Sequence, residues 1–296
     1  MYLIAGATGR LGSEICRLLK KEGKSVRAIV RSTSDPDKMD DLKKCGAELA
    51  QGDLRDRDSL DEACQGVEAV ISTVSAMPFS YQPGENDIRT VDIEGLTNLI
   101  EAAKTAGVGH FIYTSFSGNM DLDFSLRNAK RKIEKHLENS GLTYSILRPG
   151  YFMEAWLSPV VGFDVENAKA QIYGSGKNPI SWISLMDVAK FAVECLDNPA
   201  ARNATLELGG PEALSPLQTV KVFEDISGQS FEVQFVPEEV LVQQQQAAND
   251  PMQESFTGLM RCYAQGDPID MAPVLKSFPI ELTSVNDYAR RVLTSN

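Results

Sequence analysis

Short apolar runs recur through the first half of the chain, separated by stretches in which apolar residues return every three or four positions. The runs fall at Tyr2–Ala5, Ser25–Val30, Ala47–Gln51, Ala69–Thr73, Phe111–Thr114 and Thr143–Leu147. Runs of this kind between amphipathic stretches predict strands of a parallel sheet covered by helices on both faces. The helices are expected to begin near Arg10, Asp37, Arg57, Asn86 and Asp121. Two helix starts carry suitable local chemistry, Asp58 or Ser59 ahead of Leu60-Asp61-Glu62 and Asp92 to Gly95 within a long amphipathic stretch reaching Ala106. Gly107 and Gly141 sit where helices should stop. After Arg148-Pro149-Gly150 the rhythm breaks. It returns once, with Ile183–Ala189 opening a helix to Leu196 and Thr205–Leu208 reading as a strand; from Pro211 onward short helices and turns follow, with Gln243–Gln246 as an exposed helical turn. The plan is an α/β fold: a doubly wound parallel sheet over 1–150, to which 181–210 return, and a smaller C-terminal domain from 151–180 and 211–296.

The first strand stops at Gly6-Ala7-Thr8-Gly9-Arg10-Leu11-Gly12, and a helical pattern resumes at Ser13. Strand, glycine turn and helix in this order open a Rossmann-type dinucleotide unit, because glycines let the backbone approach a pyrophosphate and the helix N-terminus supplies N–H donors to it. The second strand leads into Arg31, where an acidic residue would bind a ribose 2′-hydroxyl; an arginine there instead attracts a 2′-phosphate, which favours NADP(H) over NAD(H). Gly52-Asp53-Leu54 follows the third strand, and Asp53 reads either as a contact to the adenine edge or as a helix-entry cap.

Composition narrows the choice of chemistry. A net charge of −12 argues against bulk attraction to nucleic acid or an anionic membrane. The five cysteines contain no CxxC and are odd in number, as expected of reduced thiols in a cytoplasmic protein, and only two histidines, His110 and His136, are available. A histidine-based metal site and a Ser-His-Asp hydrolase are therefore disfavoured, and no metal is expected. No run approaches the ~18 apolar residues of a membrane span.

Taken together, GATGRLG at 6–12, VRAIVR at 26–31, GDL at 52–54, FIYTSFSG at 111–118, AKRKIEKHLENSGLTYSILRPGYFME at 129–154 and SVNDYARR at 284–291 resemble the NmrA-like branch of the atypical short-chain dehydrogenase/reductases. That group includes NADPH-dependent quinone reductases, triphenylmethane reductases and redox-sensing regulators. The resemblance implies that Gly6, Thr8, Gly9, Arg10, Leu11 and Gly12 line the pyrophosphate and that Arg31 meets the 2′-phosphate, with Asp53 and Leu54 beside the adenosine. It further implies that Val74 and Ser75 pass under the cofactor and that Pro149, Gly150, Tyr151 and Phe152 lie near the nicotinamide.

The departures carry as much information. Relatives in the wider superfamily place a serine after the fifth strand and a YxxxK pair on the next helix. Here Lys130 fills the lysine position, Leu126 stands where the tyrosine would be, and Phe116, flanked by Ser115 and Ser117, occupies the serine position. Lys130 is thus the candidate catalytic residue, as general acid or ribose anchor, or alternatively an ordinary surface partner of Glu134 one helical turn on. Lys132 lies about 200° around the helix and cannot share its face. Met77, Phe79, Phe116, Met153 and Trp156 suit a flat apolar small molecule. The leading reading is an NADPH-dependent reductase of a conjugated, quinone-like acceptor. Two others stay open: an NADP(H)-sensing regulator that has a protein partner, and an isoflavone-reductase-like reductase or isomerase.

Overall fold

The computed structural model describes residues 1–77 and 81–294, so Phe79 lies outside the described residues. The elements run β1 (Tyr2–Ala5), α1 (Arg10–Lys21), β2 (Val26–Val30), α2 (Pro36–Lys44), β3 (Glu48–Gln51), α3 (Arg57–Ala63) and β4 (Ala69–Ser72). A π-helical segment, Ile88–Gly95, then leads directly into α4 (Leu96–Thr105), followed by β5 (His110–Thr114), α5 (Ser125–Glu138) and β6 (Tyr144–Pro149). The remainder is α6 (Met153–Trp156), β7 (Phe163–Asp164), β8 (Lys169–Tyr173), α7 (Leu185–Glu194), β9 (Ala204–Leu208), α8 (Pro216–Ser227), β10 (Glu232–Val236), α9 (Glu238–Gln246), α10 (Pro251–Gln265), α11 (Ala272–Ser277) and α12 (Val285–Thr294).

The seven-stranded sheet has the order β3-β2-β1-β4-β5-β6-β9, and the first six strands pair in parallel. The expected doubly wound sheet is therefore present, with its order reversing between β1 and β4. Its core joins Leu3, Val70, Phe111 and Ile146 of the strands to Leu60, Leu99, Ile100, Ile133 and Leu137 of the helices. Gly107 takes a positive φ of 69° directly after α4, ending that helix as its position suggests.

The chain divides into two compact units, one of Met1–Ser115, Asn128–Leu147 and Val188–Leu206, the other of Phe116–Arg127, Arg148–Asp187 and Glu207–Asn296. Residues 116–127, grouped with the sheet by sequence reading, fall in the second unit. The reason is local: the Ser125 hydroxyl donates to the Glu254 carboxylate, and the Leu126 N–H donates to Ser255 Oγ at 3.0 Å, so this stretch is held by α10. Helix α5 accordingly starts at Ser125, four residues later than the pattern near Asp121 suggests. The second unit also contains a three-stranded sheet, β10-β8-β7, that sequence reading missed. Its β7 is only two residues long and leaves no period-2 signal, whereas β10, Glu232-Val233-Gln234-Phe235-Val236, carries a short polar/apolar alternation that the sequence reading passed over. An aromatic cluster of Tyr151, Trp156, Tyr173, Trp182 and Tyr263 packs at centroid distances of 4.8 to 6.2 Å.

His110 is structural. It is buried at the start of β5, and since the Ser145 hydroxyl gives its only proton to the Ala201 carbonyl at 2.6 Å, the 2.8 Å contact makes His110 Nε2 the donor to Ser145 Oγ. Burial, then the nearby Arg202, lowers its pKa from 6.5 to about 4. The folded state thus resists a proton that the unfolded chain accepts, and His110 costs stability progressively as pH falls from 6.5 towards 4, by up to about 3 kcal/mol. Urea titrations from pH 7 to 4.5 should show a steeper decline for the wild type than for His110→Gln. Equal slopes would remove His110 as the cause.

Candidate functional site

In an open parallel sheet, two loops that leave adjacent strands in opposite directions open a crevice at the C-terminal ends of those strands. Here the reversal lies between β1 and β4, and the loops are Gly6–Gly9 and Thr73–Ala76. Gly6 has φ +84°, and a Cβ there would come within 2.6 Å of Thr73 Oγ1. The turn is closed by the Gly9 N–H donating to the Gly6 carbonyl at 2.9 Å. Gly12 faces inward: a Cβ would stand 2.2 Å from Gly6 O, so this glycine lets α1 pack against the turn and is buried. Gly9 differs. It is exposed, and its Cβ would meet only Gly6 O, at 3.1 Å. It is also the N-cap of α1, with no side-chain cap and no acidic residue in the first turn. Such an end offers N–H donors and a partial positive charge without a competing carboxylate, which fits a pyrophosphate. Thr8 is half-buried and Arg10 exposed, whereas the Leu11 side chain is in the core.

At the neighbouring strand ends, Arg31 is half-buried, with Nη1 donating to Asn86 Oδ1 at 2.9 Å and its backbone N–H to Ser34 Oγ at 2.9 Å. Asp53 is not a helix-entry cap: the N-cap of α3 is Asp56, and Asp53 instead accepts the Arg55 guanidinium, Nε to Oδ1 at 2.9 Å and Nη2 to Oδ2 at 2.6 Å. That pairing holds its carboxyl below the usual range. The Leu54 side chain is core, set against Gly95, whose Cβ would lie 2.7 Å from it. Only its backbone is free of that packing role, and its carbonyl accepts Asn98 Nδ2 at 3.0 Å.

Lys130 is 4% exposed, which overturns the alternative of a surface pair with Glu134. Glu134 takes Arg131, at 2.6 Å, while Lys130 Nζ lies 3.5 Å from Asp92 Oδ1 and 3.3 Å from the Val74 carbonyl, 5.3 Å over the Tyr113 ring. Asp92 is wholly buried in the π-helical segment, where its other oxygen accepts the Ala76 N–H at 2.9 Å. Burial pushes its carboxyl upward, against the pull of Lys130. Lys130 and Asp92 thus hold the strand-end segment at Val74 and Ala76 respectively. Sequence reading took Asp92 to Gly95 as a helix start, but the capping residue is Asp87, whose carboxylate accepts the Thr90 N–H, and Asp92 lies inside the segment. The available signal was a carboxylate with the apolar Ile88 and Leu96 four residues to either side. Around this pair, the hydroxyls of Ser72 and Tyr113, register partners on β4 and β5, are buried with no hydrogen-bond partner among the described residues, as is Asp92 Oδ1 for hydrogen bonds. Unspent polar capacity of this kind suits a polar group held at the ends of these strands.

The other candidates belong to the second unit. The Pro149 carbonyl accepts the Ser117 N–H at 2.8 Å, and the Gly150 N–H donates to Leu208 O at 2.8 Å. Gly150 is obligatory for packing, since a Cβ would stand 2.8 Å from Asp267 Oδ2. Tyr151 is a core residue whose hydroxyl donates to Leu259 O at 3.0 Å, and Phe152 is half-buried. Ser117 donates to the buried Asp267 at 2.6 Å. Phe116 stacks on Phe124 at 6.2 Å and Met153 is fully buried, leaving Trp156, stacked on Tyr263 at 5.6 Å, partly exposed; Met77, in the first unit, is partly exposed too.

The family model of the NmrA-like family matches residues 2–289. An NAD(P)H azoreductase from Xenophilus azovorans is 30% identical over 281 residues, covering 94% of this chain and 92% of the relative. Photosystem II assembly factor Ycf39 from Trieres chinensis is 31% identical over 237 residues, covering 79% and 72%. Among solved structures, an NADPH-dependent quinone oxidoreductase from Escherichia coli in complex with NADPH superposes with a TM-score of 0.77 at 24% identity, covering 99% of this chain and 100% of the other. The last likeness is one of fold.

Proposed function

The chain belongs to the NmrA-like family, and from that premise we propose that it is an NADPH-dependent reductase passing hydride to a conjugated or aromatic, quinone-like acceptor. The observation that carries this reading is the pairing, at one strand-order reversal, of an open glycine turn on an uncapped helix end with a buried lysine fixed to the adjoining strand-end segment. The bound dinucleotide supplies the hydride. The chain's own residues would hold and orient it: N–H groups at the start of α1 would bind the pyrophosphate, Arg31 the 2′-phosphate, and Lys130 sets its side-chain nitrogen at the ends of β4 and β5. Leu126, buried where a tyrosine acid would stand, leaves Lys130 as the candidate acid and suits an acceptor whose reduced anion is already delocalised. Met77, directly after the Val74–Ala76 segment and partly exposed, is a candidate apolar contact for it. The azoreductase and the quinone oxidoreductase act on acceptors of this class by name; the assembly factor supports a second reading, a dinucleotide-binding protein that acts on a protein partner without turnover.

An acceptor panel of quinones, azo dyes and triphenylmethane dyes separates the two. NADPH oxidation with at least one member, without added metal or flavin, is the expected result. Tight NADPH binding with no turnover across the panel would establish the non-catalytic reading instead. Cofactor choice has its own test. Arg31→Ala should lose about tenfold to a hundredfold in NADPH affinity, the scale of a charge-assisted contact, with NADH affinity nearly unchanged. Equal losses for both dinucleotides in calorimetry would remove Arg31 from the 2′-phosphate.

A further inference from the structure

The Arg31 guanidinium is held by a residue 55 positions further along the chain: its Nη1 donates to Asn86 Oδ1 at 2.9 Å. Sheet order makes the contact informative. β1 lies between β2 and β4, so the chain that leaves β4 has to cross the end of β1, where the glycine turn begins, before it reaches Arg31 past β2. Asn86 therefore belongs to the strand ends that form the crevice. It is 6% exposed, and its place is fixed on both sides. The Asn86 N–H donates to Gln82 O at 2.8 Å and the Gln82 N–H to Asn86 O at 2.9 Å, closing a tight turn. The next residue, Asp87, accepts the Gly84 N–H and the Thr90 N–H at 2.8 Å each. Sequence reading, which starts a helix near Asn86, gives this turn no role.

The residue type matters as much as the place. A guanidinium only donates, so the amide must present its oxygen, and a neutral oxygen orients the cation without cancelling its charge. A carboxylate of the same shape would orient it and neutralise it. Among the described residues Arg31 forms no ion pair, and its backbone N–H bonds Ser34 Oγ at 2.9 Å. A side chain ordered in advance loses less conformational freedom when a ligand arrives. We propose that Asn86 is a positioning residue for the 2′-phosphate of NADP(H): it holds the Arg31 guanidinium at the end of β2 and leaves the whole charge to the phosphate. The proposal rests on the reading of Arg31 as the 2′-phosphate ligand.

Calorimetric affinities for NADPH and NADH at one ionic strength test this on the wild type, Arg31→Ala, Asn86→Ala, Asn86→Asp and the Arg31→Ala/Asn86→Ala double variant, with thermal melts to confirm folding. A loosened turn would weaken both dinucleotides alike, so the ratio of NADPH to NADH affinity is a readout that a merely structural role leaves unmoved. The wild type should prefer NADPH at least about tenfold. Asn86→Ala should cut that preference about threefold to tenfold, as expected when one long side chain must be ordered on binding. Asn86→Asp keeps the native shape and so remains informative if the truncation unfolds the turn. It should cut the preference about tenfold or more, because its carboxylate pairs with Arg31 and repels the phosphate. In the Arg31→Ala background, Asn86→Ala should change the ratio by less than about twofold, since its effect passes through Arg31. An unchanged ratio in either single Asn86 variant overturns the proposal. So does an undiminished effect of Asn86→Ala in the Arg31→Ala background, which would make Asn86 a direct ligand of the dinucleotide. A wild type without preference for NADPH, or an Arg31→Ala protein that retains the preference, removes the Arg31 reading and the proposal with it, an outcome read from those two proteins alone.

Discussion

Gly9→Val is expected to weaken NADPH binding by about a hundredfold or more while leaving the protein folded, an estimate that takes two charge-assisted contacts to the pyrophosphate as lost at ~1.5–3 kcal/mol each. The backbone permits the change. Gly9 sits at φ −79° and ψ 163°, extended geometry open to any residue, and its Cβ would press only on Gly6 O. The branched side chain would instead fill the approach to the N–H groups of α1. Gly12→Ala provides the contrast, because its added methyl would collide with the Gly6 backbone inside the protein. That variant should lose thermal stability, whereas Gly9→Val should melt like the wild type. Fluorescence titration with NADPH, beside circular dichroism, reads both. A folded Gly9→Val protein that still binds NADPH tightly would make the glycine turn a mere connection between strand and helix.

Lys130→Met should lower kcat by about 10²–10⁴-fold, the usual contribution of a positioned acid, with less than about a tenfold change in NADPH affinity. The variant removes a charge that the fold has buried, so its effect on structure must be separated from its effect on chemistry. Without Lys130, Asp92 is left as a buried carboxylate beside no cation, and breaking such a pair costs about 3–5 kcal/mol. Combining it with Asp92→Asn removes that isolated charge. The double variant should recover much of the stability and none of the activity. If activity returned together with stability, Lys130 would serve only to hold the Val74–Ala76 segment. A near-normal kcat in Lys130→Met alone would exclude it from the reaction altogether.

What the chain declares by itself is whatever depends on residues close in sequence. Apolar runs between helical periodicities specify β1 to β6 and their parallel pairing: the central β1 and β4 are buried along nearly their whole length and must be apolar, while the edge strand β3 is only half-buried. The glycine turn was legible for the same reason: strand, turn and helix are contiguous, and the small residues that allow a tight turn are also those that admit a phosphate. The edge of the second sheet, by comparison, left no pattern in two residues of β7.

Tertiary structure alone decided the electrostatics of the site. Lys130 and Glu134 share a helix face, and spacing favours their pairing, yet packing gives Lys130 a counter-ion from 38 positions earlier, because α5 and the π-helical segment bury their polar positions against the ends of β4 and β5. A charge taken out of water needs an opposite charge or hydrogen bonds wherever the fold brings them, so its partner is set by geometry in space and not by distance along the chain. The same holds for Asp53. Its neighbour Arg55 was visible two residues on, but only the folded turn shows that the guanidinium covers both carboxylate oxygens while it reaches the Glu85 carbonyl beside Arg31's partner. Residue types can thus be read from the sequence, whereas the charge each one presents depends on the contacts that folding provides.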